Sequence, residues 1–187
     1  GARVCTFTSR CLAHRSTLEG MNATSYPGAV RTMRWVAAEQ YGPVWNGRKE
    51  RRHDGGDAGR HRGGLGQNME VDAQDGYEFD IQAMFDRVSH PANGRQGGSS
   101  GGATTIALDD GTAMQGKGKQ FVPHGKKVMM AFPGGGGYGP AAERPTAEIL
   151  KDLAGGYITA EAAEKIYGLA PQQIADILAQ AENGEAF

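Results

Sequence analysis

Residues 77–86 read Tyr-Glu-Phe-Asp-Ile-Gln-Ala-Met-Phe-Asp, and this stretch decides the fold class. Every second residue from Tyr77 to Phe85 is apolar, and three of the five residues that alternate with them, through Asp86, are charged. Because successive side chains of a strand point to opposite faces, the pattern predicts a strand with one buried and one wet face. A sheet with one wet face is typical of antiparallel pairing.

Further strands are predicted on both sides of this stretch. Met69 and Val71 alternate with polar residues before it, and the Asp75-Gly76 turn between the two segments predicts a β-hairpin. The same alternation predicts two later strands, over residues 106–108 and 128–132, which end at turn or proline signals.

The residues after 143 predict three short helices. The first begins near Thr146, the second is capped by Thr159, and the third begins at Pro171. The third helix carries one apolar stripe, which must pack on the sheet or on another subunit: Ile174, Ile177, Leu178 and Ala181. The expected fold class is therefore α+β, a mainly antiparallel, glycine-rich β-sheet domain followed by a short helical C-terminal tail.

Composition limits the function classes. The chain has 187 residues, 30 of them glycine, and a net charge of −1. No apolar run approaches the ~18 residues of a membrane span, and the balanced charge argues against a strongly basic nucleic-acid binder. We expect an irregular basic segment over 1–62, the β domain over 63–142 and the helical tail over 143–187. Together they are expected to form one structural unit, a fragment of a larger subunit.

The segment 60–66, Arg-His-Arg-Gly-Gly-Leu-Gly, is a candidate binding loop. Arg60 and Arg62 could hold a carboxylate or phosphate, and Gly63 and Gly64 would let the backbone approach a ligand. No Gly-Lys-Ser/Thr follows, so the segment is not a P-loop. A strand follows where a dinucleotide-binding fingerprint needs a helix. The alternative is a tight turn that enters a strand.

The segment 133–139, Pro-Gly-Gly-Gly-Gly-Tyr-Gly, is the most unusual. Ordering Gly134, Gly135, Gly136 and Gly137 costs much conformational entropy. A chain that orders them needs close backbone contact with a ligand, another chain or its own core, and Tyr138 would anchor the loop. The alternative is a flexible hinge before the tail. The polar loop 93–102 is either a flexible lid or a long connection.

Histidine and cysteine residues give weaker signals. Four residues could supply metal ligands: His53, Asp54, Asp57 and His61. They lie in a glycine-rich stretch, where no predicted helix or strand would orient their side chains. Cys5 and Cys11 are too few for a four-cysteine zinc site, and we expect them to be reduced thiols in the cytoplasm. Spacing assigns no catalytic residue, and we expect no metal bound by this chain alone.

The order of the motifs resembles the C-terminal part of the hydantoinase B/5-oxoprolinase family. The resemblance spans residues 20–183 and is carried by five stretches in the family's order: 22–27, 54–66, 116–118, 133–139 and 156–168. The first reads Asn-Ala-Thr-Ser-Tyr-Pro, and the second ends in Arg-Gly-Gly-Leu-Gly, as in the family. The chain departs from the pattern at Gly55, where the family has serine, and residues 4–19 fit no family pattern.

The resemblance implies part of a hydantoinase B-like subunit of an ATP-dependent cyclic-amide hydrolase of the hydantoinase/5-oxoprolinase type. In the family, an actin-like ATPase partner binds ATP and phosphorylates the substrate. The second subunit then uses the activated intermediate. The alternatives are a subunit of an ATP-dependent ketone carboxylase of the acetone/acetophenone type, or a non-catalytic assembly subunit.

The same resemblance implies the partners and the site. The expected partners are the actin-like ATPase and the remaining part of the hydantoinase B-like subunit in a cytoplasmic hetero-oligomer, with no nucleic acid and no membrane. A divalent metal is expected outside this chain, and the isolated chain is expected to be inactive. We expect two loops to line the cavity or the subunit contact, through Arg60, Arg62, Gly63, Gly64, Gly134, Gly135, Gly136, Gly137 and Tyr138.

Overall fold

The computed structural model describes residues 19–22 and 42–182. Over these ranges the chain forms six strands, a 3₁₀ turn and three α-helices: β1 (Val44–Arg51), β2 (Gln67–Ala73), β3 (Phe79–Met84), β4 (Thr105–Leu108), β5 (Lys117–Val122), β6 (Val128–Phe132), the 3₁₀ turn (Ala141–Glu143), α1 (Thr146–Ala154), α2 (Ala160–Lys165) and α3 (Pro171–Glu182). The α+β class with a helical tail is confirmed. Cys5, Cys11 and residues 23–27 of the first family stretch lie outside the described residues.

Four strands form an antiparallel sheet in the order β1-β2-β6-β4. Its register places Met69 opposite Met130, Val71 opposite Val128, and Ile106 opposite Met130 on the other side. These five side chains are buried, so apolar residues from neighbouring strands meet on one face of the sheet.

A second, two-stranded sheet of β3 and β5 covers that apolar face. Phe79 and Ile81 of β3 pack against the core cluster, and Val122 of β5 is fully buried within it. Asp80 and Gln82 lie on the exposed side of β3. The alternation over residues 77–86 therefore reports a strand with one buried face, as predicted.

The predicted β2–β3 hairpin is wrong. A tight turn does form at the expected place, because the Tyr77 N–H donates to the Gln74 carbonyl over 3.0 Å and Gly76 has a φ of 88°. However, β2 pairs with β1 and β6, whereas β3 pairs with β5. The turn residues specify a local reversal only, and the chain uses it to cross from one sheet layer to the other.

Strand β1 lies in the segment that was expected to be irregular. It is an edge strand with a bulge at Gly47, where the register shifts between Asn46 and Arg48. Charged side chains on an edge strand discourage pairing with other chains, so Arg48 and Lys49 suit this position. Because such a strand needs little apolar alternation, the pattern analysis does not detect it.

The three helices form where the capping signals predict them. The Thr159 side chain accepts a hydrogen bond from the Ala162 N–H over 3.2 Å at the start of α2. The helices pack on one another around an apolar cluster of their own, which includes Ile149, Leu153 and Ile174 and contains no residue of the strands. No helix in the described ranges is long and apolar enough to cross a membrane.

Candidate functional site

Three segments without regular secondary structure pack directly against one another through their backbones. They are residues 55–66, 93–99 and 134–139, which we call the glycine layer. The Gly135 N–H donates to the Gly64 carbonyl over 2.9 Å, and the Asp57 N–H donates to the Gly135 carbonyl over 3.2 Å. The Gly137 N–H donates to the Ser99 carbonyl over 3.0 Å. Backbone hydrogen bonds therefore connect all three segments.

The packing in the glycine layer leaves no room for side chains. A Cβ atom on Gly63 would overlap the Gly135 carbonyl, and one on Gly134 would overlap the Gly55 carbonyl. A Cβ on Gly136 would lie 2.6 Å from the Asn93 carbonyl oxygen. Real Cβ atoms do not approach other heavy atoms so closely, so only glycine allows these contacts.

The predicted site glycines lie inside this layer. Gly63, Gly64 and residues 134–137 are all buried. Among the three partners that could order the four consecutive glycines, the structure shows contact with the chain's own backbone. The loop 93–102 also packs on the layer, since the Arg95 N–H donates to the Gly137 carbonyl over 3.0 Å. The role of the loops in substrate or subunit contact stays a prediction.

Arg62 is buried in a charged network that ties the glycine layer to α1. Its Nε donates to Asp152 Oδ2 over 2.9 Å, and its Nη1 donates to the Gly63 carbonyl over 2.8 Å. Arg144 donates to the same Asp152 oxygen over 2.7 Å and also pairs with Glu19. Burial acts against the charged form of Arg144, but the two carboxylates outweigh it and raise its pKa. These contacts commit Arg62 to interactions within the chain.

A second link joins the glycine layer to α2. Asp54 accepts hydrogen bonds from the Thr159 N–H over 2.8 Å and from the Thr159 hydroxyl over 2.7 Å. The neighbouring His53 Nδ1 lies 2.5 Å from the Gly156 carbonyl oxygen. Asp54 adopts a φ of 53°, a left-handed conformation that Asp tolerates better than most residues.

The four metal-ligand candidates do not converge. His53 and Asp54 face the helical tail, as described, while the backbone of His61 pairs with that of Tyr138. Within the described residues, no group of three or more His, Cys, Asp or Glu side chains could hold a metal ion. These residues therefore do not form a metal site in the described part of the chain, and the divalent metal expected outside this chain stays a prediction.

The carboxyl group of Asp57 has an unusual pKa and an unusual environment. Burial raises its pKa to about 7, although the guanidinium groups of Arg52 and Arg87 and a backbone hydrogen bond act in the opposite direction. Its Oδ2 atom is shielded from solvent and has no hydrogen-bond partner among the described residues. A Cβ atom on Gly101 would lie 3.0 Å from this oxygen, so the loop 93–102 forms part of the surroundings that bury it.

Three residues are bridged through their backbones where the glycine layer reaches the surface. His61 and Tyr138 form an antiparallel bridge, with N–H···O distances of 2.9 and 3.0 Å in both directions, and Arg95 bridges Tyr138 in parallel on its other side. Directly bridged residues of extended chains point to the same face. The ring centroids of His61 and Tyr138 are 6.4 Å apart, which agrees with this arrangement. We call these three residues the His–Tyr–Arg face.

Arg60 lies next to this face, but its contacts are with the residues that precede helix α1. Its guanidinium lies 3.7 Å from Glu143, and its carbonyl accepts a hydrogen bond from Arg144. Of the predicted site residues, Arg60 is exposed and Tyr138 is partly exposed, whereas Arg62 and the glycines are buried.

Sequence reasoning did not single out Arg95 or link His61 to Tyr138. The signal for Arg95 is the Gln-Gly pair that follows it, since Gln96 and Gly97 have φ values of 53° and 89° and form a tight turn. The Gly98 N–H closes that turn by donating to the Arg95 carbonyl over 3.0 Å. The bridges to Tyr138 join residues far apart in sequence, which no local pattern reveals.

Comparisons with known proteins give a family match and structures of similar fold. The hydantoinase B/oxoprolinase model matches residues 7–141. The ATP-dependent caprolactamase from Pseudomonas jessenii has a similar fold, with a TM-score of 0.73 and 23% identity over 94% of this chain and 33% of that chain. Acetone carboxylase, in a nucleotide-free structure, gives a TM-score of 0.68 and 14% identity over 95% of this chain and 30% of that chain. No curated protein matches the chain.

The chain thus spans roughly a third of each of these two proteins, and at these identities the likeness to them concerns the fold. The family model, by contrast, covers most of the chain. The glycine layer is built from two of the stretches that carry the resemblance, residues 54–66 and 133–139, together with the loop 93–102. The chain belongs to the hydantoinase B/oxoprolinase family.

Proposed function

We propose that the chain is part of a hydantoinase B-like subunit of an ATP-dependent cyclic-amide hydrolase. An actin-like ATPase partner would phosphorylate the substrate's amide oxygen, and this subunit would act on the phosphorylated intermediate in the cytoplasm. Phosphorylation turns a poor leaving oxygen into a good one, which separates activation from ring opening. The observation that carries the proposal is the family match over residues 7–141.

The fold comparison supports a cyclic amide as the substrate class. Caprolactam is a cyclic amide, and the caprolactamase shares the fold over 94% of this chain. The second candidate is an ATP-dependent ketone carboxylase, because acetone carboxylase shares the fold over 95% of the chain. A non-catalytic assembly role is the third candidate, since no group of His, Cys, Asp or Glu side chains among the described residues could hold a metal ion.

Within this proposal the predicted loop residues have two roles. The exposed Arg60 and the partly exposed Tyr138 would face the substrate or the neighbouring subunit. The buried Arg62 and the glycines at 63–64 and 134–137 would hold those side chains in place. ATP and the divalent metal would be bound by other parts of the complex.

The direct test is phosphate release from ATP by the complete complex, purified with its ATPase partner. Cyclic amides such as hydantoin, 5-oxoproline and caprolactam are compared with acetone or acetophenone plus bicarbonate. Stimulation by a cyclic amide, with ring-opened product, supports the hydrolase. Stimulation that needs both a ketone and bicarbonate replaces it with the carboxylase.

A variant pair tests whether the chain contributes to the activity. Replacing Gly135 and Gly136 with Val should abolish turnover or assembly, because Gly135 is buried and a side chain at Gly136 meets the Asn93 backbone. The Gly102→Ala variant is the control, since the nearest atom to its added Cβ is 4.0 Å away. Full activity of an intact Val variant complex would favour the non-catalytic assembly role.

A further inference from the structure

The His–Tyr–Arg face is a rigid arrangement of polar side chains. His61, Tyr138 and Arg95 are directly bridged, so their side chains leave adjacent backbone segments on one side. Each segment is held by the glycine layer, and the turn at Gln96-Gly97 fixes the backbone of Arg95. The backbone positions of the three residues are therefore set before any ligand arrives, which reduces the backbone entropy lost on binding.

The donors of this face suit an oxyanion. Arg95 is exposed and offers a planar fork of N–H donors, and the partly exposed His61 and Tyr138 carry a ring nitrogen and a hydroxyl. Among the ion pairs within residues 19–22 and 42–182, Arg60 pairs with Glu143 and Arg62 with Asp152, but no carboxylate pairs with Arg95. The charge of Arg95 is thus available to a group from outside these segments.

We propose that the His–Tyr–Arg face binds an oxyanion group of the substrate, either the phosphoryl group of the activated intermediate or a carboxylate. Arg95 supplies the positive charge and paired N–H donors, and the ring nitrogen of His61 and the hydroxyl of Tyr138 contact the remaining oxygens. The identity of the bound molecule rests on the proposed function, whereas the binding of an oxyanion at this face does not.

The test is a titration of the full chain, followed through the NMR signals of the His61 and Tyr138 side chains. The probes are inorganic phosphate and acetate, both added at constant ionic strength so that general screening of charge does not change. We expect saturable shifts with one of the two probes. Phosphate binding identifies the phosphoryl group as the source, and acetate binding identifies a carboxylate.

Matched variants assign the binding to the face. Arg95→Gln should weaken binding at least about tenfold, because charge-assisted hydrogen bonds are lost. Tyr138→Phe keeps the ring and removes only the hydroxyl, so a smaller loss of about threefold is expected. Arg48→Gln is the control, since Arg48 is an exposed arginine on β1 that pairs with Glu50. It should bind the probe like the unmodified chain.

The proposal is overturned if neither probe gives saturable shifts, or if Arg95→Gln and Arg48→Gln have the same affinity as the unmodified chain. It is also overturned if Arg48→Gln weakens binding as much as Arg95→Gln, because the effect would then be one of net charge. The titration needs no ATP and no partner. A failure of the cyclic-amide assay with a positive titration therefore rejects the proposed function and leaves the oxyanion site intact.

Discussion

At the scale of single residues, the glycines at 63 and 134 are fixed by what surrounds them. Their hydrogen atoms face carbonyl groups of Gly135 and Gly55, where any Cβ would overlap. Their requirement is therefore steric, and it differs from that of Gly76, whose φ of 88° serves a turn in open space. The sequence shows that glycine is present at both kinds of position but cannot tell the two reasons apart.

Gly63→Ala should destabilise the fold strongly. The added methyl group must push the 55–66 and 134–139 segments apart, which we expect to lower the free energy of unfolding by at least about 3 kcal/mol. Urea denaturation measures this loss. Gly102→Ala, with open space around the new Cβ, should change stability by less than about 1 kcal/mol. Equal midpoints for the two variants would contradict the steric account.

Asp57 should make the fold less stable as the pH rises from about 4 to about 7. Its pKa is about 7 in the folded state and 3.8 as its ordinary value, so over this range the folded chain binds more protons than the unfolded chain. The stability is fully present below pH 4 and is lost as the pH approaches 7. The effect is on the order of 1–2 kcal/mol, because solvent screens a partly exposed carboxyl.

The Asp57→Asn variant isolates this contribution. Subtracting its free energy of unfolding from that of the unmodified chain at each pH removes what all other groups contribute. The difference should fall between pH 4 and pH 7 and stay constant above pH 8. A difference that is flat, or that rises with pH, would mean that the pKa of Asp57 is not raised.

At the scale of secondary-structure elements, helix α1 is held by a charged contact. Asp152 faces the guanidinium groups of Arg62 and Arg144, and all three side chains are buried. Removing one member of such a group leaves uncompensated charge inside the protein. The network therefore fixes where the helical tail sits against the glycine layer.

Asp152→Ala should lower the free energy of unfolding by roughly 3–5 kcal/mol. Two buried arginines would then rely on the partly buried Glu19 and, for Arg144, on the exposed Glu148 at 3.8 Å. Asp176→Ala is the control, since Asp176 is exposed on α3 and accepts one hydrogen bond from Gln172. We expect a change below about 0.5 kcal/mol for the control. Thermal and urea unfolding measure the loss of stability in each variant. Equal losses for Asp152→Ala and Asp176→Ala would mean that the charged network contributes little.

Sequence patterns predicted the elements better than their arrangement. The alternation of Val128, Met130 and Phe132 and the cap at Thr159 are local signals, and both elements form as predicted. The partner of β3 depends on which apolar faces cover each other, so the turn at residues 75–76 could not reveal it. The tail helices pack on one another because their apolar residues already form a closed cluster.

In the candidate site, too, the sequence predicted the residues better than their arrangement. The sequence placed Arg60, Arg62 and Tyr138 in candidate binding loops. Arg62 is buried, however, whereas the other two are at least partly exposed. Arg95 joins Tyr138 only through a bridge between residues 43 positions apart, which spacing along the chain does not encode.

At the scale of the whole molecule, two apolar cores are joined by polar contacts. The sheets enclose one core and the helices the other. Between them lie the glycine layer and its two links, through Arg62 to Asp152 and through Asp54 to Thr159. A substitution in the layer should therefore disturb both halves, although it lies in neither core.

The glycine layer has a consequence for hydrogen–deuterium exchange. The amides of Gly135 and Gly137 are buried and donate to other segments, and the buried Gly63 amide donates to Asp57 within its own segment, so all three should exchange only when the chain unfolds globally. The amides at the exposed end of β1, an edge strand, should exchange much faster. Exchange followed by mass spectrometry or NMR should then find protons as slow as those of the core strands in segments that have no helix or strand. In this protein we expect part of the most protected backbone to lie outside regular secondary structure.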